Sequence, residues 1–340
     1  MKEINQLDLF SGIGGFHLGF EKAGYKVNSY FSEVDKHAIA VYQNQFKDST
    51  YVGSVTDVRG ADLPRIDLIT FGSPCQDFSL SGKRKGMGGE RSSLVLEAIR
   101  LIGECRPRVF IWENVKGTFS SNSGEDFASI LQAFANIGGY RLEWQLLNTA
   151  NYLPQNRERI YLVGYSTTTK RNWRGVFPIG EGTREIGEVR SQYQISNFSN
   201  FEFGWRDASP TLCARNHKDL KIVKVKSATK AGYEVAEEGD SINLSNPNSE
   251  TRRGRVGKGK AQTLETSCNQ AAVQDYRIRR LTPIECERLQ GFPDNHTEYG
   301  NYDGEVKKMS NTQRYKQCGN AVTVDVVQAI AEKLHPMFEQ

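Results

Sequence analysis

The sequence predicts an α/β protein: a doubly wound sheet of parallel strands in its first half, then a smaller and irregular segment. Through roughly the first 165 residues, short apolar runs alternate with helix-length periodic stretches, the pattern of parallel βαβ units. A glycine-rich turn joins the first apolar run to the first periodic stretch, where sheets of this kind receive ligands. From about Thr167 to Tyr276 the character changes, with abundant Gly, Ser, Asn and charge and little periodicity.

Taken in order, the predicted strands are QLDLF (6–10), VNSYFSEV (27–34), DLITFG (67–72), RVFIWENV (108–115) and RIYLVGY (159–165). Periodic stretches at 14–23, 36–46, 92–104 and 125–137 supply the helices between them. The segment 238–260 reads as exposed loop ending in a basic cluster. Helical patterns return at 282–290 and at 321–334. The expected organisation is an α/β domain over 1–170, an inserted domain over 171–304, and a segment over 305–340 that returns to the first domain. No repeat of solenoid period is present.

A chain of 340 residues can bury one large core and a smaller one. Lys and Arg total 44 against 40 Asp and Glu, a balance that permits a nucleic-acid partner without arguing for one. Cysteines stand at 75, 105, 213, 268, 286 and 318. They form no CxxC pair and no zinc-ligand spacing, so no metal is expected. Scattered thiols suit a reducing, cytoplasmic compartment. The N-terminus MKEINQLDLF lacks the apolar run of a signal peptide, and no run of 18 apolar residues predicts a membrane span.

Four segments carry chemistry. In LDLFSGIGGF (7–16), Gly12, Gly14 and Gly15 follow a strand and open a helix. Glycine permits positive φ and close ligand approach, but His17 stands where a GxGxxG fingerprint needs its third glycine. Glu33, ending the second strand, can accept ribose hydroxyls, and Asp57 can receive an adenine amino group. As single residues both also read as solvated loop acids. In TFGSPCQDFSLSGKRKGMGGERSSL (70–94), Cys75 follows Pro74 directly after an apolar strand, at the sheet's carboxyl edge. The glycines and cations behind it suit a closing lid that touches phosphates. Glu113 ends the strand IWENV, where a buried carboxyl can share a proton. Arg157 and Arg159 in LPQNRERIYLVG (153–164) alternate on one face of an extended chain, suited to a carboxylate, carbonyl or phosphate, or to structural ion pairs.

In that order LDLFSGIGGF, GSPCQDFS, ENV and QNRER resemble the cytosine-C5 DNA methyltransferases, as do RRLTPIECERLQGFP (279–293) and YKQCGNAVTVDVVQAIA (315–331). The resemblance runs from residue 7 to about 331 in the non-permuted block order. It implies a Rossmann-like, S-adenosylmethionine-dependent methyltransferase sheet and a β-rich target recognition domain between QNRER and RRLTP.

The resemblance also implies roles. Cys75 would add to C6 of a cytosine, after which C5 attacks the methyl group of S-adenosylmethionine, leaving S-adenosylhomocysteine. Glu113 would hold the N3/N4 edge and Arg159 the O2, offsetting charge that develops as sulfur adds, while Arg157 would steady the site or the DNA backbone. The base must leave its duplex stack, at a cost of a few kcal/mol. Phe10, Gly12, Gly14, Gly15, Glu33, Asp57, Val58, Pro74, Leu94, Asn320 and Val322 would line the cofactor pocket. Val34 stands where some relatives carry an aromatic residue. Ser81, Lys83, Arg84, Lys85, Arg215, Arg252, Arg253 and Arg255 would contact double-stranded DNA.

One chain supplies all these parts, so a monomer suffices, with double-stranded DNA as the partner and a companion restriction endonuclease as a further candidate. The rival readings are a tRNA cytosine-C5 methyltransferase, a catalytically silent DNA-binding module and a nicotinamide-dependent oxidoreductase. The long loop-rich middle disfavours the first, the intact Cys75, Glu113 and Arg159 the second, and the broken glycine fingerprint the third.

Overall fold

The computed structural model describes residues 2–73, 93–119, 125–168, 175–179, 223–247, 249, 251–275 and 277–339. The chain divides into two compact units. The first comprises Met1–Thr183, Thr263–Cys268 and Thr282–Gln340.

Its centre is a seven-stranded sheet among the described residues, in the order β3-β2-β1-β4-β5-β8-β6. The strands are β1 (Lys2–Leu9), β2 (Tyr25–Ser32), β3 (Thr50–Tyr51), β4 (Leu68–Gly72), β5 (Val109–Val115), β6 (Tyr140–Asn148) and β8 (Glu158–Ser166), with the two-residue β7 (Gln155–Asn156) before β8. Helices α1 (Gly15–Lys22), α2 (Lys36–Gln45), α3 (Ser93–Cys105) and α4 (Glu125–Ala135) alternate with them. Strand periodicity assigns side chains to two faces. Ile4, Leu68, Val109 and Ile111 enter one core with Phe16 and Phe20 of α1. Leu7, Leu9, Ile69, Phe71, Phe110 and Trp112 enter the other with Ala98, Leu101 and Ile102 of α3 and Phe127 and Phe134 of α4. This is the predicted doubly wound arrangement.

Strands β1 to β5 pair in parallel, but β8 runs antiparallel to both β5 and β6, which corrects the parallel assignment of 159–165. The connection 149–157 is too short for the crossover of a dozen or more residues that a parallel pair requires. Strand β6 itself was not predicted. As the edge strand it leaves Trp144 exposed, so its sequence lacks clean apolar alternation.

The chain then returns to this unit through α5 (Pro283–Leu289), the hairpin β16 (Tyr299–Tyr302) and β17 (Glu305–Lys308), α6 (Asn311–Asn320) and α7 (Val324–Lys333). Thr282 and Glu285 form a reciprocal capping box at the start of α5, with Pro283 in its first turn. The helix expected over 321–334 begins only at Val324, because Thr323 is its N-cap and Ala321 is extended. Helix α6 was not foreseen. Thr282–Gln340 therefore belongs wholly to the first unit, a different partition from the expected 171–304 and 305–340.

The second unit comprises Arg184–Gln262 and Asn269–Leu281. Its described residues are β-rich: the hairpin β9 (Val223–Lys226) and β10 (Tyr233–Ala236), β13 (Ala261–Gln262), and a sheet of β11 (Ser241–Asn243), β12 (Val256–Gly257), β14 (Gln270–Gln274) and β15 (Arg277–Arg280) in the order β12-β11-β14-β15. Val225, Ala236, Ile242, Ala271 and Val273 form its core. The stretch 238–260, expected as exposed loop, thus contributes a buried strand.

Candidate active site

Parallel pairing sets the carboxyl ends of β1, β2, β4 and β5 along one rim of the sheet. Chain order reverses between β1 and β4, and the crevice at such a switch point is where open α/β sheets bind ligands.

The glycine turn leaves β1 at this rim. Phe10, Gly12 and Gly14 all take positive φ, at 52°, 54° and 84°. The Gly12 N–H donates to Glu33 Oε2 at 2.9 Å, while the Val34 and Asp35 N–H groups donate to Oε1 at 2.8 and 3.0 Å. Glu33 thus ties the ends of β1 and β2 together and keeps acceptor capacity on Oε2. The three glycines answer three different demands. A Cβ on Gly12 would meet nothing within 4 Å, so this residue faces open space. On Gly14 it would lie 2.2 Å from the Phe46 ring, and on Gly15 2.6 Å from Val322 Cγ2. Those two are demanded by protein packing rather than by ligand approach.

Polar groups buried behind the turn hold it. His296 Nε2 lies 2.9 Å from the Ile13 carbonyl oxygen, its ring 4.5 Å from that of Phe292. Burial pushes His296 down to about 4. Asp8 of β1 accepts from Thr70 Oγ1 at 2.7 Å. Burial pushes its carboxyl up to about 8, against the hydrogen bonds from Thr70 and Tyr42. Motif reading identified neither residue; an acid between Leu7 and Leu9 of a predicted strand was the available signal for Asp8.

At the other side of the switch point, Gly72 of β4 stands in register with Glu113 of β5. Because β8 is antiparallel, its amino end reaches this same rim, and Arg159 sits diagonally across from Glu113, which pairs with Tyr161. Arg159 Nε lies 3.1 Å from Glu113 Oε1. Oε1 is buried and among the described residues receives no aligned hydrogen bond, so this contact is a charge pair that leaves an acceptor for a further N–H donor. A Cβ on Gly72 would come within 3.1 Å of Glu113 Oε2, so the carboxyl is packed over bare backbone. Arg157 turns elsewhere. Its Nη2 donates to the Ala321 carbonyl at 2.9 Å and Nη1 to Gly319 at 3.4 Å, fixing the chain that delivers Val322 to Gly15.

Asp57 is exposed and accepts from Thr56 Oγ1 at 3.2 Å. Val58 packs in the core, its carbonyl accepting from Arg100 at 2.9 Å. Leu94 packs half-buried on α3, and Asn320 is exposed at the end of α6. Pro74, Cys75, Ser81, Lys83, Arg84, Lys85 and Arg215 lie outside the described residues. Among the expected DNA contacts in the second unit, Arg255 is corrected. It is buried, and its guanidinium donates to the carbonyls of Ser245, Asn246 and Pro247, clamping a turn instead of facing solvent. Arg253 is exposed and Arg252 half-buried.

This sheet, with its glycine turn and Glu33 at the switch point, has the fold of the S-adenosylmethionine-dependent methyltransferases. The structure of S. pombe Dnmt2 methyltransferase shares the fold, with a TM-score of 0.61 and 18% identity, over 98% of this chain and 99% of that one. Residues 4–335 match the C-5 cytosine-specific DNA methylase family, and the chain belongs to that family. It is 33% identical to the Type II methyltransferase M1.ScrFI of Lactococcus lactis subsp. cremoris, over 99% of this chain and 79% of that protein. It is 32% identical to the Type II methyltransferase M.NlaX of Neisseria lactamica, over 96% and 95%. The protein is a DNA (cytosine-5-)-methyltransferase that uses S-adenosylmethionine, and DNA is its substrate. Among the described residues no helix is long and apolar enough to cross a membrane.

Proposed function

We propose that the rim between β1 and β5 is the catalytic centre, with Cys75 as nucleophile toward C6 of a flipped cytosine and Glu113 and Arg159 as its electrostatic partners. The observation that carries this reading is the Glu113–Arg159 pair, a buried carboxylate with an unfilled acceptor beside a cation at the carboxyl edge of the sheet. Glu113 accepts from the amino edge of the base and holds a proton at N3. Arg159 faces the O2 side, and Arg157 keeps the 319–321 backbone in place. The proton at N3 and the Arg159 cation offset the negative charge that builds on the ring as sulfur adds.

S-adenosylmethionine supplies the methyl group. The residues present fit it: Gly12 opens onto free space, and Glu33 Oε2 keeps acceptor capacity for a ribose hydroxyl. Phe10, Asp57 and Asn320 contribute at the margins of the same pocket, with Pro74, Leu94 and Val322 as apolar walls.

The region between QNRER and RRLTP reads the target sequence, with Arg252, Arg253 and Arg215 as its cations toward DNA, and Ser81, Lys83, Arg84 and Lys85 close over the flipped base. The Type II relatives support a modification role beside a restriction endonuclease, in a monomeric cytoplasmic enzyme. Tritium transfer from labelled S-adenosylmethionine tests the reading: label is expected in duplex DNA, none in tRNA, and none in either with Cys75→Ala. Normal DNA labelling by that variant overturns the assignment of the nucleophile.

A further inference from the structure

Along β5 the face that packs under α3 and α4 runs Phe110, Trp112 and then Asn114. An amide replaces an apolar side chain where this face reaches the rim. Asn114, Trp112, Ser73 and Thr118 are all buried, so their polar atoms need partners, and much of that need is met among themselves.

Trp112 Nε1 donates to Ser73 Oγ at 2.9 Å. Asn114 Nδ2 lies 3.3 Å from the same hydroxyl and 3.4 Å from the Ser73 carbonyl oxygen. The amide's orientation is not free. Asn114 Oδ1 accepts from the Val115 N–H at 2.7 Å and from Thr118 Oγ1 at 3.1 Å. With the oxygen committed on that side, the amino group must face Ser73. Two donors thus converge on one residue, which stands immediately before Pro74 and two before Cys75.

That position matters because the proline that follows narrows how the chain can leave Ser73. A following proline confines residue 73 to extended backbone, and the proline ring fixes its own φ. An anchor on Ser73 therefore limits the directions in which the chain can continue toward Cys75.

We propose that Asn114, its amide oriented by Thr118 and assisted by Trp112, is a positioning residue for the nucleophile. It holds the Ser73 backbone from which the Pro74–Cys75 segment departs. The inference rests on the reading of Cys75 as nucleophile. Asn114 does not touch the base; it acts through Ser73. A displacement of about 1 Å at a reacting group costs on the order of 100-fold in rate, which is the scale expected when the anchor is lost.

The test is the single-turnover rate at which a duplex containing 5-fluorocytosine in the target site becomes covalently attached to the enzyme. Fluorine at C5 blocks the final elimination, so the adduct persists. Asn114→Asp keeps the size and the acceptor oxygen but sets a second oxygen against the Ser73 carbonyl. It is expected to slow adduct formation about 100-fold, with S-adenosylmethionine and DNA affinities of the folded variant within about threefold of the native values. A native adduct rate overturns the inference. So does a slowed rate accompanied by an equal loss of cofactor affinity, which marks a general structural role. Should Asn114→Asp not fold, Thr118→Val decides. A slowed adduct rate at native cofactor affinity supports the inference, and a native rate overturns it. The native enzyme is the control for the underlying reading: absence of its adduct defeats the assignment of Cys75, whatever Asn114 does.

Discussion

His296 Nε2 lies 2.9 Å from the carbonyl oxygen of Ile13, and two such atoms can share a hydrogen bond only if the nitrogen carries the proton. The ring thereby fastens the 291–298 stretch to the middle of the glycine turn. It does so as a neutral imidazole, since burial lowers its pKa from 6.5 to about 4. The unfolded chain takes up a proton near 6.5 that the folded protein refuses until about 4. The stability this group contributes is therefore complete above pH 6.5 and lost as pH falls toward 4, by up to about 1.4 kcal/mol per pH unit. Urea unfolding of His296→Gln at pH 7.5, 6 and 5 should show a shallower acid loss than the native protein. An identical slope would assign the acid sensitivity elsewhere.

Asp8 gives the opposite sign. Its carboxyl titrates near 3.8 when unfolded and at about 8 when buried, so the folded state holds a proton the unfolded state has lost. Stability from this group is complete below 3.8 and falls as pH rises toward 8. Asp8→Asn, which keeps the shape, should flatten the alkaline decline between pH 6 and 8 in the same measurement. If the decline persists, Asp8 is not its source.

Two neighbouring glycines should respond differently to the same substitution. Gly15→Ala drives a methyl group against Val322 and is expected to cost about 1–3 kcal/mol of stability, read as a lowered urea midpoint. Gly12→Ala meets no atom but must hold alanine at φ 54°, a penalty of about 1–2 kcal/mol. Its larger effect should fall on S-adenosylmethionine affinity measured by calorimetry. Equal effects on cofactor binding would contradict the separation drawn between them.

Glu113→Gln and Arg159→Ala are each expected to lower the single-turnover methylation rate by about 100- to 1,000-fold, with DNA affinity changed far less. The two act on one charge pair, so the double variant should lose much less than the product of the single losses. Multiplicative losses would mean that they work independently.

In the second unit, Arg255→Ala should destabilise by about 1–3 kcal/mol, because three carbonyls lose their donor, while the salt dependence of DNA binding stays near native. Arg253→Ala, at an exposed position, should reduce the salt slope by roughly one unit. A lowered slope for Arg255 in the folded variant would contradict its buried placement.

What was legible in the sequence follows a physical division. Strands β1, β4 and β5 are buried on both faces, so their apolar runs stand out, and the turn after β1 announces itself through its glycines. Glu113 was legible as an acid ending an apolar strand. Its pairing with Arg159 was not, because that depends on β8 running antiparallel, which a single apolar run does not encode. The reasons for Gly14 and Gly15 were equally hidden: Phe46 lies some thirty residues along and Val322 some three hundred. Arg255 misled for the converse reason. A cation in a basic run looks solvated unless the carbonyls it caps are visible, and those belong to a turn eight to ten residues earlier.

The glycine face of α1 has a consequence for how the molecule is made. A Cβ on Gly15 would strike Val322, and one on Gly19 would come within 2.5 Å of Val327, so this bare ridge is shaped to receive α7. On the ribosome, α1 (Gly15–Lys22) emerges some three hundred residues before its mate, which begins at Val324. The nascent glycine turn therefore waits, half-walled, until that helix is made, and contacts this distant in sequence are slow to close. A ribosome that stalls before residue 322 releases a chain lacking the lining of its own first turn, so methylating competence is withheld until translation has passed the last block.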